Sequence, residues 1–401
     1  MLSQRWVRVV GSAVGITGIA SAISFVSTGL LYRLLPVEQA GTLALLFTLT
    51  ETLILVGGLG QQSLIIRLYS RQPVGAYDWR HDLRLVTVVT LPLIGLCVLA
   101  AAVLYRFDAL AILFLLVAAP MSAFLLNAGQ VLNSQGLYGW GNVILRLPRG
   151  LLVIPALVML AVPALQRIEI AIAAQVITFG LAGAITWALL KSRIGRGDLI
   201  MTLREIPQGL IFVASISSNL IADQVLGAVA GLRVPAAEFA ALAAFTLMFN
   251  PFQVVQNVFS KVLVPEFARQ DTTRLKRVIV ISGIVCALFV LAAAVLMPIA
   301  AHVVFGGRYD WAAFLIVPLA LANAFDLAEV IPRSYLMGKA SGPVLNRFIG
   351  LQVGIALIGL AVGIPLIVSF GIIGVTTASA VIFALRLVVS YAVFLRHFHS
   401  R

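Results

Sequence analysis

Apolar residues in this chain fall into long runs separated by short polar breaks. Twelve runs stand out, at residues 8–31, 42–66, 85–105, 109–131, 149–166, 170–190, 208–230, 239–262, 278–300, 312–332, 348–368 and 372–395. Each is close to the ~20 residues that a helix needs to cross the hydrocarbon core of a bilayer, where every backbone N–H and C=O must be satisfied within the segment. The pattern predicts an all-α, polytopic membrane protein with twelve transmembrane helices. The first run follows Arg5 and Arg8 and is longer than the apolar part of a usual signal peptide, so it is expected to be a retained first helix.

The polar breaks alternate in character. Five of them carry one arginine and one acid each: Arg33/Glu38, Arg106/Asp108, Arg167/Glu169, Arg233/Glu238 and Arg308/Asp310. These read as short, net-neutral outer loops, which cross the membrane during insertion without excess positive charge. They also reveal an internal repeat. "RLLPVEQAGTLALL" (33–46) aligns with "RVPAAEFAALAAFT" (233–246), and three further matches follow in the same order: "YSRQ" from Tyr69 with "FARQ" from Phe267, "RFD" from Arg106 with "RYD" from Arg308, and Gly136…Arg146 with Gly338…Arg347. Two six-helix lobes, 1–200 and 201–401, are expected. With an even number of helices per lobe, both insert in the same orientation, the parallel kind of transporter repeat. Gly11/Gly15, Gly350/Gly354 and Gly359/Gly363 have the small-xxx-small spacing that lets helices approach closely.

Composition agrees: 61% of the 401 residues are hydrophobic and only 11% are charged. The net charge of +13 comes from 28 Lys and Arg residues, of which alternate loop assignment places 23 on one face and five on the other. By the positive-inside rule the rich face, with both termini, is cytoplasmic. The basic balance therefore reflects topology and attraction to anionic membrane lipids, and no nucleic-acid partner is expected. Cys97 and Cys286 fall inside apolar runs and imply no disulfide framework.

No enzyme signature is present. The four histidines are scattered at membrane edges, no Cys/His metal spacing occurs, "GGLGQQ" from Gly57 follows no strand, and no cofactor or metal is expected. Candidate chemistry lies in polar groups inside the runs, because a charge near the bilayer centre costs at least about 2.5 kcal/mol. Glu51 and Asp223 should lie in the outer half of spans two and seven, as cavity groups or as interhelical hydrogen-bond partners. Span seven adds Asn219 and Gln224, span eight Gln253 and Asn257 with Asn250 and Gln256, and span one a run of hydroxyls from Ser12 to Thr28. Asp326 and Glu329 are expected near the cytoplasmic end of span ten, where a local Glu329–Arg333 salt bridge explains them as well as transport does. Arg386 can snorkel or pair with a buried acid. Arg146 and Arg149, flanking Pro148, are expected at the cytoplasmic mouth of span five, with Arg347 as their repeat counterpart. They are either topology anchors or phosphate donors.

Beyond the repeat, "LLPVEQAG" (34–41), "IADQVLGAV" (221–229), "KVLVPEFARQD" (261–271), "VVFGGRYDWAA" (303–313) and "SFGIIGVTTASAV" (369–381) follow one another in an order and spacing that resembles, over about 380 residues, the polysaccharide or O-antigen flippases of the multidrug/oligosaccharidyl-lipid/polysaccharide exporter superfamily. The resemblance implies two six-helix lobes around a central cavity lined mainly by spans one, two, seven and eight, working by alternating access in the bacterial cytoplasmic (inner) membrane. It implies an undecaprenyl-diphosphate-linked oligosaccharide as cargo, with a polysaccharide polymerase and glycosyltransferases as candidate partners. Asp223 occupies the position of the acid common in span seven of that family, although Gln224 stands where many members carry a basic residue. Expected roles are diphosphate capture by Arg146, Arg149 and Arg347, sugar contacts from Asn219, Gln224, Gln253 and Asn257, and ion coupling by Asp223 or Glu51. The alternative is cation-coupled multidrug or metabolite efflux within the same superfamily.

Overall fold

The computed structural model describes residues 4–70, 72–73, 75–195, 197–269, 275–340 and 342–399, with side chains at all of these except 4–14, 56, 211–212, 215–216, 254–269, 275–281, 337–339 and 397–399. Gly11, Ser12, Gln256 and Asn257 thus lie outside the described side chains. Among the described residues the regular structure is helical, apart from one isolated bridge between Tyr77 and Leu199.

The chain divides into two compact units, Met1–Val213 and Ala214–Arg401. The first contains six rods: α1 (Gln4–Leu34), α2 (Val37–Gly57) continued by the short α3 (Gln61–Tyr69), α4 (Trp79–Tyr105), α5 (Ala109–Ser134), α6 (Tyr138–Leu151) continued by α7 (Val153–Ala161), and α8 (Ile168–Arg193). The second also contains six. α9 (Gly209–Leu220) runs through a π turn (Ile221–Val225) into α10 (Leu226–Gly231) and is followed by α11 (Ala236–Arg269), α12 (Leu275–Phe305) and α13 (Ile316–Lys339). The remaining two are halves of α14 (Gly342–His399), which reverses at Gly371 with φ 57° and ψ −130°. Glycine is required at that bend, since L side chains rarely adopt a positive φ. Nearby, a Cβ on Gly374 would lie 2.1 Å from the Leu366 carbonyl. Eight helical segments among the described residues are long and apolar enough to cross a membrane, the kinked Gly342–Arg396 counting as one. The chain is a multi-pass membrane protein.

The fourth rod is the hub of each unit. α5 packs against α2, α3, α4, α6 and α8, and α13 against α11, α12 and α14. Along α5 the side chains of Phe114, Leu115, Ala118 and Ala119 are fully buried, as are Leu315 and Ala320 at the matching place in the second unit. Small residues here let neighbouring backbones close in. Of the glycine pairs singled out in sequence, Gly359 and Gly363 are at such contacts, against Ile382 and Leu226, whereas Gly350 and Gly354 face open space.

The single acid of each neutral loop has a local structural use. Glu38, Glu169 and Glu238 lie in the first turns of α2, α8 and α11, Asp108 caps α5 by accepting the Ala111 N–H at 2.8 Å, and Asp310 opens the short 3₁₀ turn before α13. A negative group at a helix N-terminus complements its dipole and its unpaired N–H groups.

Candidate functional site

The first unit gathers three of the singled-out charges. α6 begins at Tyr138, two residues after Gly136 (φ 81°), rather than near residue 149. Arg146 and Arg149 therefore lie about 12 and 16 Å along a helix, at about 1.5 Å per residue, and not at its mouth. Two further features fix their orientation. Gly141 packs its backbone against Gly129 of α5, where a Cβ would lie 2.6 Å from the Gly129 carbonyl. On the α1 side, the Ser24 hydroxyl donates to the Arg146 carbonyl at 3.1 Å and the Ser27 hydroxyl to the Arg149 carbonyl. The Arg149 carbonyl belongs to the last turn before α6 ends at Leu151, where intrahelical partners run out. Part of the polar stripe of span one is thus used in capping its neighbour.

Arg149 donates through Nη2 to Glu51 of α2, forming an ion pair. Its guanidinium lies 5.2 Å from the centre of the Phe47 ring, one turn earlier on α2. Arg146 is half-buried and feels the charges of both Arg149 and Glu51. Glu51 stands fourteen residues into α2, in the first half of the rod that α2 and α3 form together. The pair keeps contact with the exterior of the protein, with side-chain exposures of 30% for Arg149 and 39% for Glu51. Among the described side chains, two guanidinium groups stand with one carboxylate here, giving this face of α2 and α6 a positive balance within apolar helices. Such a group suits a multiply charged anion, whose oxygens can take both guanidinium forks.

The other singled-out residues belong to the second unit. Asp223 is exposed on the π turn, an irregularity often found at functional sites. That turn is held by the Ser379 hydroxyl, which donates to the Ala222 carbonyl at 2.7 Å. Asn219, Gln224 and Gln253 are half-buried. Ser218 donates to Gln352 of α14 in the unit's interior. Arg347 is exposed, five residues into α14.

Asp326, Glu329 and Arg386 come together as a buried cluster at mid-helix, not near the end of span ten. Glu329 takes Arg386, 57 residues away, as its partner in place of the expected Arg333, and Arg386 does not snorkel.

One cluster escaped the sequence reading. Asp82, fully buried, accepts the Tyr69 hydroxyl at 2.8 Å and the Met201 N–H at 2.8 Å, with His81 Nδ1 at 3.1 Å. It joins the segment after α8 to the start of α4, beside the Asp78 N–H to Leu199 carbonyl bond of 2.8 Å. Burial, and then the Asp82 charge, pushes the Tyr69 phenol upward, so it remains a donor. Asp82 lies among Arg80, His81 and Arg84, where sequence gives no sign of burial.

No family model and no curated protein matches this chain. Solved structures do. The inward-facing conformation of a multidrug resistance MATE family transporter of the MOP superfamily superposes with a TM-score of 0.66 at 16% identity, covering 95% of each chain. An outward-facing conformation of a transporter described in the same words gives 0.62 at 15% identity, covering 98% of this chain and 96% of the other. The fold is that of the MATE transporters. Another structure with the MATE fold is a MOP superfamily transporter from Pyrococcus furiosus, described as having a binding pocket of reverse polarity that suggests a different function. It is 15% identical, with a TM-score of 0.56 over 98% of this chain and 95% of its own.

Proposed function

We propose that this protein is a flippase that moves undecaprenyl-diphosphate-linked oligosaccharide units across the bacterial cytoplasmic membrane by alternating access, for surface polysaccharide synthesis. The observation that carries this reading is the polarity of the first unit's site: Arg146 and Arg149 against Glu51, within apolar helices and open at its edge. A cationic drug meets net repulsion there, whereas a diphosphate meets two donors. That pocket polarity separates functions on this fold has a precedent in the description of the Pyrococcus relative.

In this mechanism Glu51 holds Arg149 until the cargo arrives. The diphosphate, with more charge and more acceptor oxygens than one carboxylate, displaces it and takes the forks of Arg149 and Arg146. Arg347 is the second unit's donor. Asn219, Gln224, Gln253 and Asn257 offer hydrogen bonds to sugar hydroxyls that leave water, and Asp223 or the released Glu51 takes up a proton or ion for the return step. The lipid tail stays among membrane lipids. Glycosyltransferases supply the cargo and a polymerase consumes it.

The exposed carboxylate of Asp223 favours a second reading, cation-coupled efflux of drugs or metabolites. Purified protein in vesicles separates the two. Flipping predicts that labelled lipid-linked oligosaccharide becomes accessible to a membrane-impermeant probe on the far leaflet. Accumulation of a cationic dye, with no movement of the lipid-linked sugar, overturns it.

A further inference from the structure

The segment that follows α8 is held by its backbone against the first unit. The Leu199 N–H donates to the Ala76 carbonyl at 3.0 Å, the Asp78 N–H to the Leu199 carbonyl at 2.8 Å and the Met201 N–H to the buried Asp82 at 2.8 Å. Further on, the side-chain amide of the buried Gln61 donates to the Ile206 carbonyl at 3.0 Å. Gly197 is required by this docking, since a Cβ there would lie 1.9 Å from the Ala76 carbonyl. A backbone held in this way fixes which side chains turn inward. Met201 and Ile206 are buried, whereas Leu199, Ile200 and Leu203 are 42%, 51% and 64% exposed.

Three large apolar side chains exposed together outside the helices call for a covering surface, and depth in the membrane supplies one. α8 has 26 residues, about 39 Å at about 1.5 Å per residue, so it crosses a hydrocarbon core of about 30 Å and ends among the lipid headgroups. Trp187, near that end, is partly exposed and packs edge-on against Trp79 at the start of α4, with ring centres 5.1 Å apart. Amphipathic aromatic rings concentrate at headgroup level. The segment leaves α8 there and pairs with the start of α4, so it runs along the membrane surface. Its charges fit that place. Lys191, Arg193 and Arg204, with Arg84 of α4, are exposed and form no ion pair among the described residues. The acids are mostly turned to the protein: Asp82 is buried, Asp78 accepts the Arg80 N–H at 3.0 Å, and Glu205 accepts the Thr202 N–H at 2.7 Å. Among the described residues of this face, Asp198 is the one exposed acid.

We propose that the segment from Gly197 to Gln208 is a lipid-binding surface, in which Leu199, Ile200 and Leu203 insert at headgroup level and Lys191, Arg193 and Arg204 bind anionic phospholipid headgroups. Apolar insertion and attraction to anionic lipid add to one another, as they do in segments that lie in the membrane interface. The backbone bonds to Ala76, Asp78 and Asp82 keep the three apolar side chains from turning into the protein. The assignment is independent of the cargo. The segment leads directly into α9, so lipid bound here grips the chain where that helix begins.

A fluorescent label at position 203 tests it. Leu203→Cys is made in a C97A/C286A background, labelled with an environment-sensitive dye and placed in lipid nanodiscs. In nanodiscs containing phosphatidylglycerol the label should resist quenching by aqueous acrylamide and be quenched by lipids that carry a nitroxide near the headgroup. Its emission should lie to the blue of that in phosphatidylcholine alone, and high salt should reduce this difference. R193Q/R204Q should abolish the difference while the protein stays folded. Ile200→Cys, labelled in the same way, should behave as position 203 does and guards against a disturbance confined to one site. The proposal is overturned if acrylamide quenches both labels as readily as free dye, which would place the segment in water. It is also overturned if emission is the same in the two lipids, or if R193Q/R204Q leaves the difference intact.

Discussion

Among the described side chains, each unit has an arginine–glutamate pair within its apolar rods, and the two pairs differ in nearly everything except chemistry. Arg149–Glu51 joins the fifth and second rods of the first unit and keeps about a third of each side chain exposed. Arg386–Glu329 joins the sixth and fourth rods of the second and is sealed at 1% exposure on both sides. At a sealed pair no solvent stands in for a lost arginine, so removing Arg386 strands its carboxylates in low dielectric. A half-open pair exchanges its partner at little cost, because solvent or ligand replaces what the carboxylate gave. Exposure, not the identity of the residues, separates the pair that holds a unit together from the pair that can receive a ligand.

The largest effect that this contrast predicts is on stability at the sealed pair. Arg386→Ala should lower the stability of the purified protein by about 3–5 kcal/mol, read from thermal unfolding in detergent. Removing Arg149 in the same way should change stability by less than about 1 kcal/mol, and equal losses at the two sites would erase the distinction. Next comes function at the open pair. R146A/R149A should slow lipid-linked oligosaccharide translocation by roughly 10- to 100-fold, corresponding to the 1.5–3 kcal/mol typical of charged hydrogen bonds, with the protein still folded. A smaller effect is expected at the α1–α6 seam. Ser27→Ala leaves the Arg149 carbonyl without its cap and should lower the unfolding midpoint by an amount corresponding to about 1 kcal/mol.

Much of the fold was legible because hydropathy reports rods whose surfaces are apolar all round. The Arg/acid loops marked the breaks between them, since each acid that neutralises a loop also starts a helix. α6 was misplaced for the opposite reason. In "YGWGNVILRLPRG", from Tyr138 to Gly150, the polar groups are satisfied by other helices: Ser24 and Ser27 take carbonyls, and Glu51 takes a guanidinium. A window average counts those groups as if they faced lipid and starts the span about eleven residues late. The site inherited the error, because arginines assigned to the mouth turned out to be inside. Glu51 was legible as an intramembrane acid but its partner was not, since Arg149 lies 98 residues away. Asp326, Glu329 and Arg386 were found for the same reason, and misassigned for the same reason. Helical spacing offers i to i+4 partners, and only packing of α13 on α14 reveals the one used. Asp82 stayed hidden because burial among charged neighbours leaves no trace in composition.

In the proposed mechanism Glu51 holds Arg149 in reserve for a diphosphate. It is tested most directly by titrating purified protein with a short-chain prenyl-diphosphate sugar and comparing wild type with Glu51→Gln. Removing the competing carboxylate should tighten binding about fivefold, the equivalent of one exposed salt bridge of about 1 kcal/mol. Unchanged or weaker binding by the Glu51→Gln protein, with Arg149 intact, would show that Glu51 does not compete with the diphosphate for Arg149.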